Sequence, residues 1–196
     1  MPEDPVKLAV VIGSVRDGRI GPTVAEWFAL QARHHGEVEV DVVDLADYPL
    51  PLNMPSPDEL DAKTQEAHRG LKERLAQSDA FVVVTAEYNH TIPPGLSNSI
   101  NWYLNEWKAK PVGLVSYGGM AGGIRAAEHL RQVFAEVHAI TVRDMLSFHN
   151  PWGKFDSTDP TVAPEGSEAA AKALLDQLVW WGRTLRNGRK NTPYVA

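Results

Sequence analysis

The sequence predicts an α/β domain in which a five-stranded parallel sheet carries helices on both faces. Segments rich in valine and other apolar residues alternate along the chain with stretches of helical periodicity, which is the pattern of such folds. The strand segments are apolar throughout, as expected for strands covered on both faces. Right-handed crossovers leave few topologies, and strand order 2-1-3-4-5 is the commonest expected here. The length suits one domain, residues 1–196.

The first half of the chain contains three of the predicted strands and two long helices. The strands are Leu8–Ile12, Val38–Val43 and Ala80–Thr85. The helices are Gly21–Arg33 and Glu59–Gln77. Pro22 favours a helix start, where its missing N–H costs least. Leu71 and Leu75 lie four residues apart and share one helix face, whereas the proline-rich segment Asp44–Pro57 is predicted to be a loop.

The second half adds two strands and three helices. The strands are Pro111–Ser116 and a weaker one at His138–Met145; the helices are Leu96–Tyr103, Ile124–Phe134 and one that begins near Ser167. Ser167 suits the N-cap of the last helix. The spacing predicts one apolar face on that helix, formed by Ala170, Leu174, Leu178, Trp181 and Leu185. Arg183 and Arg186 are expected in its last turns, where the helix dipole favours cations.

Composition excludes several classes of function. The net charge of -6, without a long run of either sign, predicts no nucleic-acid partner and no membrane-surface binding. The absence of cysteine rules out disulfides, thiolate-bound metals and thiol catalysis. Seven scattered histidines show no metal-ligand spacing, so no metal site is expected. No apolar run is long enough to cross a bilayer, and the expected location is cytoplasmic.

Three loops are expected to meet at the carboxyl edge of the sheet, where ligands bind to folds of this kind. The first runs from Gly13 to Gly21 and enters a helix N-terminus, which favours an anion. Ser14 can donate a hydrogen bond, and Arg16 or Arg19 can contact a phosphate in bidentate fashion. The glycine spacing matches neither a Walker A loop nor G-x-G-x-x-G. The alternative is a flexible turn with solvated arginines.

The second and third loops offer surfaces for a planar ligand. In Ala86–Gly95, Tyr88 provides an aromatic plane and Asn89 an amide; alternatively Tyr88 is a core or interface residue and Asn89 a turn residue. Glu87 is expected to be solvated or paired with a base rather than to act as one. In Ser116–Gly123, four glycines let the backbone approach a ligand closely. The alternative for that segment is a mobile turn.

Together these loops resemble the NADPH-dependent FMN reductase family, which includes flavin, quinone, azo and chromate reductases with a flavodoxin-like fold. The motifs are G-S-x-R after the first strand, E-Y-N after the third, and S-x-G-G-x-x-G-G after the fourth. The resemblance extends over nearly the whole chain. Ala86 stands where the family usually has a proline before E-Y-N.

The resemblance implies an FMN site assembled from all three loops. The FMN phosphate would be held by Ser14 and Arg16, with Arg19 and the backbone of Ile20 and Gly21. The isoalloxazine ring would be bordered by Glu87, Tyr88 and Asn89. The pyrimidine end of the flavin would be contacted by Ser116, Tyr117, Gly118 and Gly119, with Gly122 and Gly123 shaping the turn.

The resemblance also implies the reaction. A hydride would pass from NAD(P)H, the co-substrate, through bound FMN to a small-molecule electron acceptor such as a quinone, free flavin, azo compound or metal oxyanion. The chemistry belongs to the flavin, so no catalytic side chain is assigned. A preference for NADPH would need a spare cation, for which Arg19 and Arg125 are candidates. Members are usually homodimers or homotetramers, and Trp102, Tyr103 and Trp107 could lie in an interface or in the core.

Two alternatives come from other classes. A flavodoxin-type carrier would bind FMN without oxidising NAD(P)H, although such proteins usually hold the phosphate with a Ser/Thr-rich loop, where this chain has arginine. A hydrolase is suggested by Gly95–Ser99, but this G-L-S-N-S segment lacks the final glycine of a nucleophile elbow.

Overall fold

The computed structural model describes residues 4–195, which form a parallel sheet of five strands. The strands are β1 (Val6–Ile12), β2 (Val38–Asp44), β3 (Ala80–Ala86), β4 (Pro111–Gly118) and β5 (Ile140–His149). Their order is β2-β1-β3-β4-β5, and each neighbouring pair is parallel. The predicted fold class and strand order are therefore confirmed.

Five α-helices cover the two faces of the sheet. They are α1 (Gly21–His35), α2 (Ala62–Gln77), α3 (Pro94–Asn101), α4 (Ile124–Glu136) and α5 (Ser167–Asn191). Side chains on β1 alternate between two separate cores: Val10 packs with residues of α1 and α5, and Val11 packs with residues of α2, α3 and α4. Because both faces are covered, the strands are apolar at nearly every position.

The helix α2 begins three residues later than predicted, at Ala62. The Asp61 carboxylate accepts hydrogen bonds at 3.0 Å from the N–H groups of Lys63 and Thr64, which ends the preceding segment and caps the helix. Glu59, the predicted first residue, closes a separate 3-10 turn through a capping box with Ser56. Local side-chain to backbone hydrogen bonds thus decide this boundary.

The predicted N-cap and apolar face of α5 need correction. Gly166 is the N-cap, with φ 78°, and Ser167 is the first helical residue. Ala170 is exposed, while Ala171 is buried. Leu174 and Leu178 lie in the core as predicted, but Trp181 and Leu185 are only partly buried.

Arg183 and Arg186 lie inside α5 rather than in its last turns, because the helix continues to Asn191. Arg183 pairs with Glu37 at 2.7 Å, and Arg186 pairs with Asp79 at 3.0 Å. These arginines therefore join α5 to the rest of the fold, and the last turn carries Arg189 and Lys190 instead.

The aromatic residues after α3 belong mainly to the core. The Trp107 ring packs edge-on against Phe81 and Phe134, with centroid distances of 4.6 and 5.5 Å. Tyr103 is also buried, and Trp102 is half-buried beside it. The structure thus supports the core alternative for Trp107 and Tyr103. None of the helices in residues 4–195 has both the length and the apolar character needed to cross a membrane.

Candidate active site

The carboxyl ends of β1, β3 and β4 surround a cavity of about 270 Å³. The chain reverses its direction of winding between β1 and β3, which is where ligands bind in open α/β sheets. Nine of the twelve predicted site residues line this cavity: Ser14, Arg16, Arg19, Ile20, Glu87, Tyr88, Tyr117, Gly118 and Gly119. Larger surface grooves along α5 and beside α2 contain none of the predicted residues.

The first loop provides a cation and an uncapped helix N-terminus. Arg16 is exposed, and its guanidinium carbon lies 5.6 Å from the centre of the Tyr88 ring. Ser14 is buried, and its hydroxyl shares a 2.6 Å hydrogen bond with that of Tyr88. Within residues 4–195 no side chain caps α1, and the first turn of this helix contains no acidic residue. Free N–H groups beside an arginine favour an anion at this end of the cavity.

Arg19 lies on the cavity wall but is already paired. Its guanidinium forms an ion pair with Asp44 at the end of β2. Its Nε is buried and has no hydrogen-bond partner within residues 4–195. Arg16 forms no ion pair with any residue that the structure describes. Arg16 is therefore the arginine whose charge is available to a ligand.

Tyr117 presents a second buried polar group. Its hydroxyl forms no hydrogen bond of ordinary geometry within residues 4–195, although the Ser14 hydroxyl, which bonds Tyr88, lies near enough to oppose the rise in the pKa of Tyr117. Burial, with a smaller contribution from the neighbouring Tyr88, raises the pKa of Tyr117 to about 12, so the hydroxyl remains protonated. An unpaired buried donor costs free energy unless a ligand satisfies it. Arg19 Nε and Tyr117 Oη thus point to a polar ligand in the same cavity.

Gly21 does not line the cavity; it makes room for Tyr117. A Cβ atom placed at Gly21 would lie 2.8 Å from the Tyr117 hydroxyl and 3.2 Å from a methyl group of Ile12. A glycine at the start of α1 therefore lets the end of β4 approach the first loop closely.

The second loop is a tight hairpin. Tyr88 and Thr91 exchange backbone hydrogen bonds of 2.9 and 3.0 Å. Asn89 and His90 between them have φ angles of 49° and 69°, as required by a type I′ turn. Asn89 is exposed and lies outside the cavity lining, which supports the alternative that it is a turn residue. Thr91 also bonds the His129 ring at 2.7 Å, so the loop is held without the family's proline.

Glu87 is engaged by the start of α4. Its carboxylate accepts hydrogen bonds from the backbone N–H of Arg125 at 3.1 Å and from the Arg125 guanidinium at 2.6 Å. The Glu87 side chain is only 9% exposed. The expected pairing of Glu87 with a base is therefore confirmed. Since the charge of Arg125 is neutralised by this pair, Arg125 is a poor candidate for recognising a 2′-phosphate.

The third loop contains a buried serine, glycines that face the cavity and a glycine that is needed for packing within the protein. Ser116 is fully buried and lies outside the cavity lining; its hydroxyl donates to the Gly122 carbonyl at 3.0 Å. Gly123 has φ 84°, and a Cβ there would come within 2.7 Å of Tyr117 N. Packing within the protein thus requires a glycine at this position, whereas Gly118 and Gly119 are the two that face the cavity.

Three residues of the cavity wall were missed by sequence reasoning: Gly18, Ala86 and Trp152. Gly18 lies in the first loop, and Ala86, which was predicted to begin the second loop, is the last residue of β3. Trp152 lies after β5, in a segment for which no role was predicted. The sequence does contain a signal for Trp152, because a tryptophan between a proline and a glycine follows the carboxyl end of β5. Whether its side chain points toward the cavity, however, depends on the tertiary structure.

Comparison with known proteins decides the family. The profile of the family described as NADPH-dependent FMN reductase matches residues 6–153. The chain belongs to this family. An NAD(P)H-dependent FMN reductase of Schizosaccharomyces pombe is 36% identical over 62% of each chain. A quinone reductase of Escherichia coli K12 is 32% identical to this family member. The aligned region covers 88% of the present chain and 89% of the quinone reductase.

Solved structures agree with the fold of this FMN reductase family member. The flavoenzyme FerB of Paracoccus denitrificans, an NAD(P)H:acceptor oxidoreductase, superimposes with a TM-score of 0.68 at 24% identity, covering 91% of this chain and 98% of FerB. A flavodoxin from Archaea superimposes with a TM-score of 0.61 at 13% identity, covering 90% of this chain and 99% of its own. At these identities the likeness concerns the fold, which is flavodoxin-like. By family, the protein is an oxidoreductase that uses FMN and NAD(P)H.

Proposed function

We propose that this protein takes electrons from NAD(P)H and, using bound FMN, passes them to a small planar acceptor of the quinone class. Free flavins, azo compounds and metal oxyanions are the other acceptors to be tested. The observation that carries the proposal is a cavity at the carboxyl edge of the sheet, between β1 and β3, that is lined by residues of all three predicted loops and by Trp152.

The cavity fits FMN by the chemistry of its wall. We assign the phosphate to Arg16, the Ser14 hydroxyl and the N-terminus of α1 from Ile20 to Gly21, because these groups combine a free cation with uncapped N–H groups. Arg19, which is held by Asp44, is assigned a supporting role through its unpaired Nε.

The ring of FMN is assigned to the other two loops. Tyr88 and the backbone at Glu87 border it on one side, and Tyr117, Gly118 and Gly119 on the other. Because the pKa of Tyr117 is about 12, its hydroxyl is a neutral donor at working pH. Asn89 and Ser116 are assigned to holding these loops, since neither lines the cavity.

When bound, FMN supplies a site that accepts a hydride from NAD(P)H and returns two electrons to the acceptor. Over the whole cycle, NAD(P)H loses a hydride and becomes NAD(P)⁺. A quinone gains two electrons and two protons, one of them from solvent, and becomes a hydroquinone. The chain's residues bind and orient the reactants: Glu87 is occupied by Arg125, and we assign no side chain as the proton donor.

The family match and the arginine of the first loop support the reductase over an electron carrier. The cavity volume of about 270 Å³ lies just below the range of pockets that enclose a whole drug-sized ligand. A bound FMN would therefore keep part of its surface accessible to a second molecule. The carrier alternative rests on fold alone, since the flavodoxin among the solved structures is 13% identical.

We further propose that residues 1–196 form one domain, that the protein is a homodimer or homotetramer, and that it acts in the cytoplasm, where NAD(P)H is supplied. Two exposed apolar side chains, in and directly after the third loop, support self-association: Met120 is 92% exposed and Ile124 is 43% exposed. Light scattering of the purified protein tests the oligomer, and a monomer at micromolar concentration would rule it out.

The function is tested by an anaerobic titration of the FMN-loaded protein with NADPH and then NADH, following flavin absorbance. Rapid bleaching by either donor is expected, and a quinone added afterwards should restore the absorbance. If FMN binds but neither donor bleaches it, the carrier alternative replaces the reductase. If FMN does not bind, the assignment of the cavity is wrong.

A further inference from the structure

Trp152 is carried on a tight turn directly after β5. The N–H of Lys154 donates to the Pro151 carbonyl at 3.0 Å, which closes a four-residue turn. Gly153 at its third position has φ 76°, the signature of a type II turn. A Cβ at Gly153 would meet no atom of residues 4–195 within 4 Å. The backbone of the turn, rather than local packing, therefore requires this glycine and sets the direction in which Trp152 projects.

Both ends of this turn are anchored. Before it, the N–H of Asn150 donates to the Gly118 carbonyl at 2.8 Å, which ties the turn to the third loop, Ser116–Gly123, called the glycine loop below. After it, Phe155 packs edge-on against Trp27 and Phe148, with centroid distances of 5.8 and 4.9 Å. Trp152 is thus presented from a fixed support, in contrast to a side chain on a loose surface loop.

The indole itself has no partner in the described part of the chain. Trp152 lines the cavity yet is 60% exposed, and no other ring within residues 4–195 contacts it. Tryptophan has a large apolar surface that is normally buried or used in recognition. An anchored, exposed tryptophan at the mouth of a cavity therefore indicates contact with a ligand.

The other aromatic ring at the cavity mouth is already engaged. Tyr88 shares a hydrogen bond with Ser14, and its ring is covered by Arg16. Since β4 lies between β3 and β5, Tyr88 and Trp152 stand on opposite sides of the glycine loop. Strand spacing separates their strands by about 10 Å. Trp152 is thus the aromatic surface left for a second molecule beside the cofactor.

We propose that Trp152 determines acceptor specificity by stacking on the ring of a planar aromatic acceptor, of which quinones are the simplest class. The inference rests on the proposed function and adds to it the residue that selects the acceptor. An electron-rich indole favours an electron-poor quinone ring. A compact anionic acceptor such as ferricyanide has no ring to stack and gains nothing from Trp152.

The experiment compares Trp152→Ala and Trp152→Phe with a matched control, Trp180→Ala. Trp180 is also 60% exposed but lies on α5, in a groove away from the cavity. For each FMN-loaded variant, kcat/KM is measured with NADPH and either 1,4-benzoquinone or ferricyanide. The dissociation constant of FMN is measured separately by flavin fluorescence.

We expect Trp152→Ala to lower kcat/KM for the quinone about tenfold, which corresponds to about 1.4 kcal/mol and lies within the range of aromatic stacking. Trp152→Phe should recover most of that loss. Values for ferricyanide and the FMN dissociation constant should stay within about twofold of the unsubstituted protein, as should every value for Trp180→Ala.

A binding measurement separates this inference from the proposed function. Anthraquinone-2-sulfonate is titrated calorimetrically into the oxidised, FMN-loaded protein without NADPH, and Trp152→Ala should weaken its binding about tenfold. This result holds even if NADPH fails to reduce the protein, in which case the proposed function alone is lost. Gly153→Ala keeps the indole but strains the turn, and it should give the same quinone-selective loss.

Two outcomes overturn the inference. If Trp152→Ala weakens FMN binding and slows both acceptors equally, the indole belongs to the cofactor site rather than to the acceptor. If neither quinone turnover nor anthraquinone binding changes, Trp152 is an exposed surface residue without a role in specificity.

Discussion

The Tyr117 hydroxyl lies directly against the backbone of Gly21, so that a Cβ atom at Gly21 would be 2.8 Å from it. This contact joins the end of β4 to the start of α1. Tyr117 is 4% exposed, and burial raises its pKa to about 12. Because Gly21 has no side chain, the protonated Tyr117 hydroxyl can reach the first loop, and the geometry of the cavity depends on this contact.

Gly21→Ala should displace Tyr117 and weaken FMN binding about tenfold, because overpacking at such a contact costs about 1–3 kcal/mol. Fluorescence titration with FMN measures the change. Gly188→Ala is the matched control, since a Cβ there meets nothing within 4 Å and alanine favours a helix. Equal FMN affinity in the two variants would contradict the role given to Gly21.

Arg16→Ala should raise the FMN dissociation constant about 10- to 100-fold, because a charge-assisted hydrogen bond is worth about 1.5–3 kcal/mol. Binding of riboflavin, which lacks the phosphate, should hardly change. Arg33→Ala serves as the control, since Arg33 is exposed and 3.9 Å from its partner Glu26. An equal loss of FMN and riboflavin binding would show that Arg16 does not contact the phosphate.

Glu87→Gln should lower the thermal midpoint while leaving kcat within about threefold, because Glu87 pairs with Arg125 and is assigned no proton transfer. Removal of a general acid or base lowers rates about 10²- to 10⁴-fold, so the two roles are easily separated. Arg125→Gln should lower the midpoint similarly. A hundredfold loss of kcat in the Glu87 variant alone would make Glu87 a catalytic residue.

Lys110 should make stability depend on pH under alkaline conditions. Its buried ammonium donates to the carbonyls of Leu75 and Ala76 at 2.8 and 3.1 Å, and burial lowers its pKa to about 8 from the usual 10.5. Between these two values the unfolded chain binds more protons than the folded one. The free energy of unfolding therefore gains stability from Lys110 as the pH rises from about 8 to 10.5. Below pH 8 Lys110 is charged in both states, and burying its charge destabilises the fold most.

Urea unfolding of the unsubstituted protein and of Lys110→Met at several pH values across this interval tests the effect. The difference between their free energies of unfolding should change by about 1 kcal/mol per pH unit. Lys110→Met should be less stable near pH 10, because the two carbonyls lose their donor. Parallel pH profiles would show that Lys110 titrates normally.

Much of the architecture could be read from local pattern. The strands around Val10 and Val83 are apolar on both faces because both faces are covered. Such an apolar run can be recognised within the segment itself, without knowledge of the rest of the chain. Element ends were less predictable: Asp61 rather than Glu59 sets the start of α2, and Gly166 rather than Ser167 caps α5. Caps depend on which side chain reaches a free N–H, and several neighbours can compete for it.

The sequence by itself determined the fold class, the strand order and three of the segments that wall the cavity, since apolar runs, glycines and prolines act within a few residues. The tertiary structure decided which groups are free to bind. It pairs Arg19 with Asp44 and Glu87 with Arg125, and it brings Trp152, on the turn after β5, to the cavity mouth. These partners are far apart in sequence, so their contacts depend on how strands and helices pack, which no local pattern records.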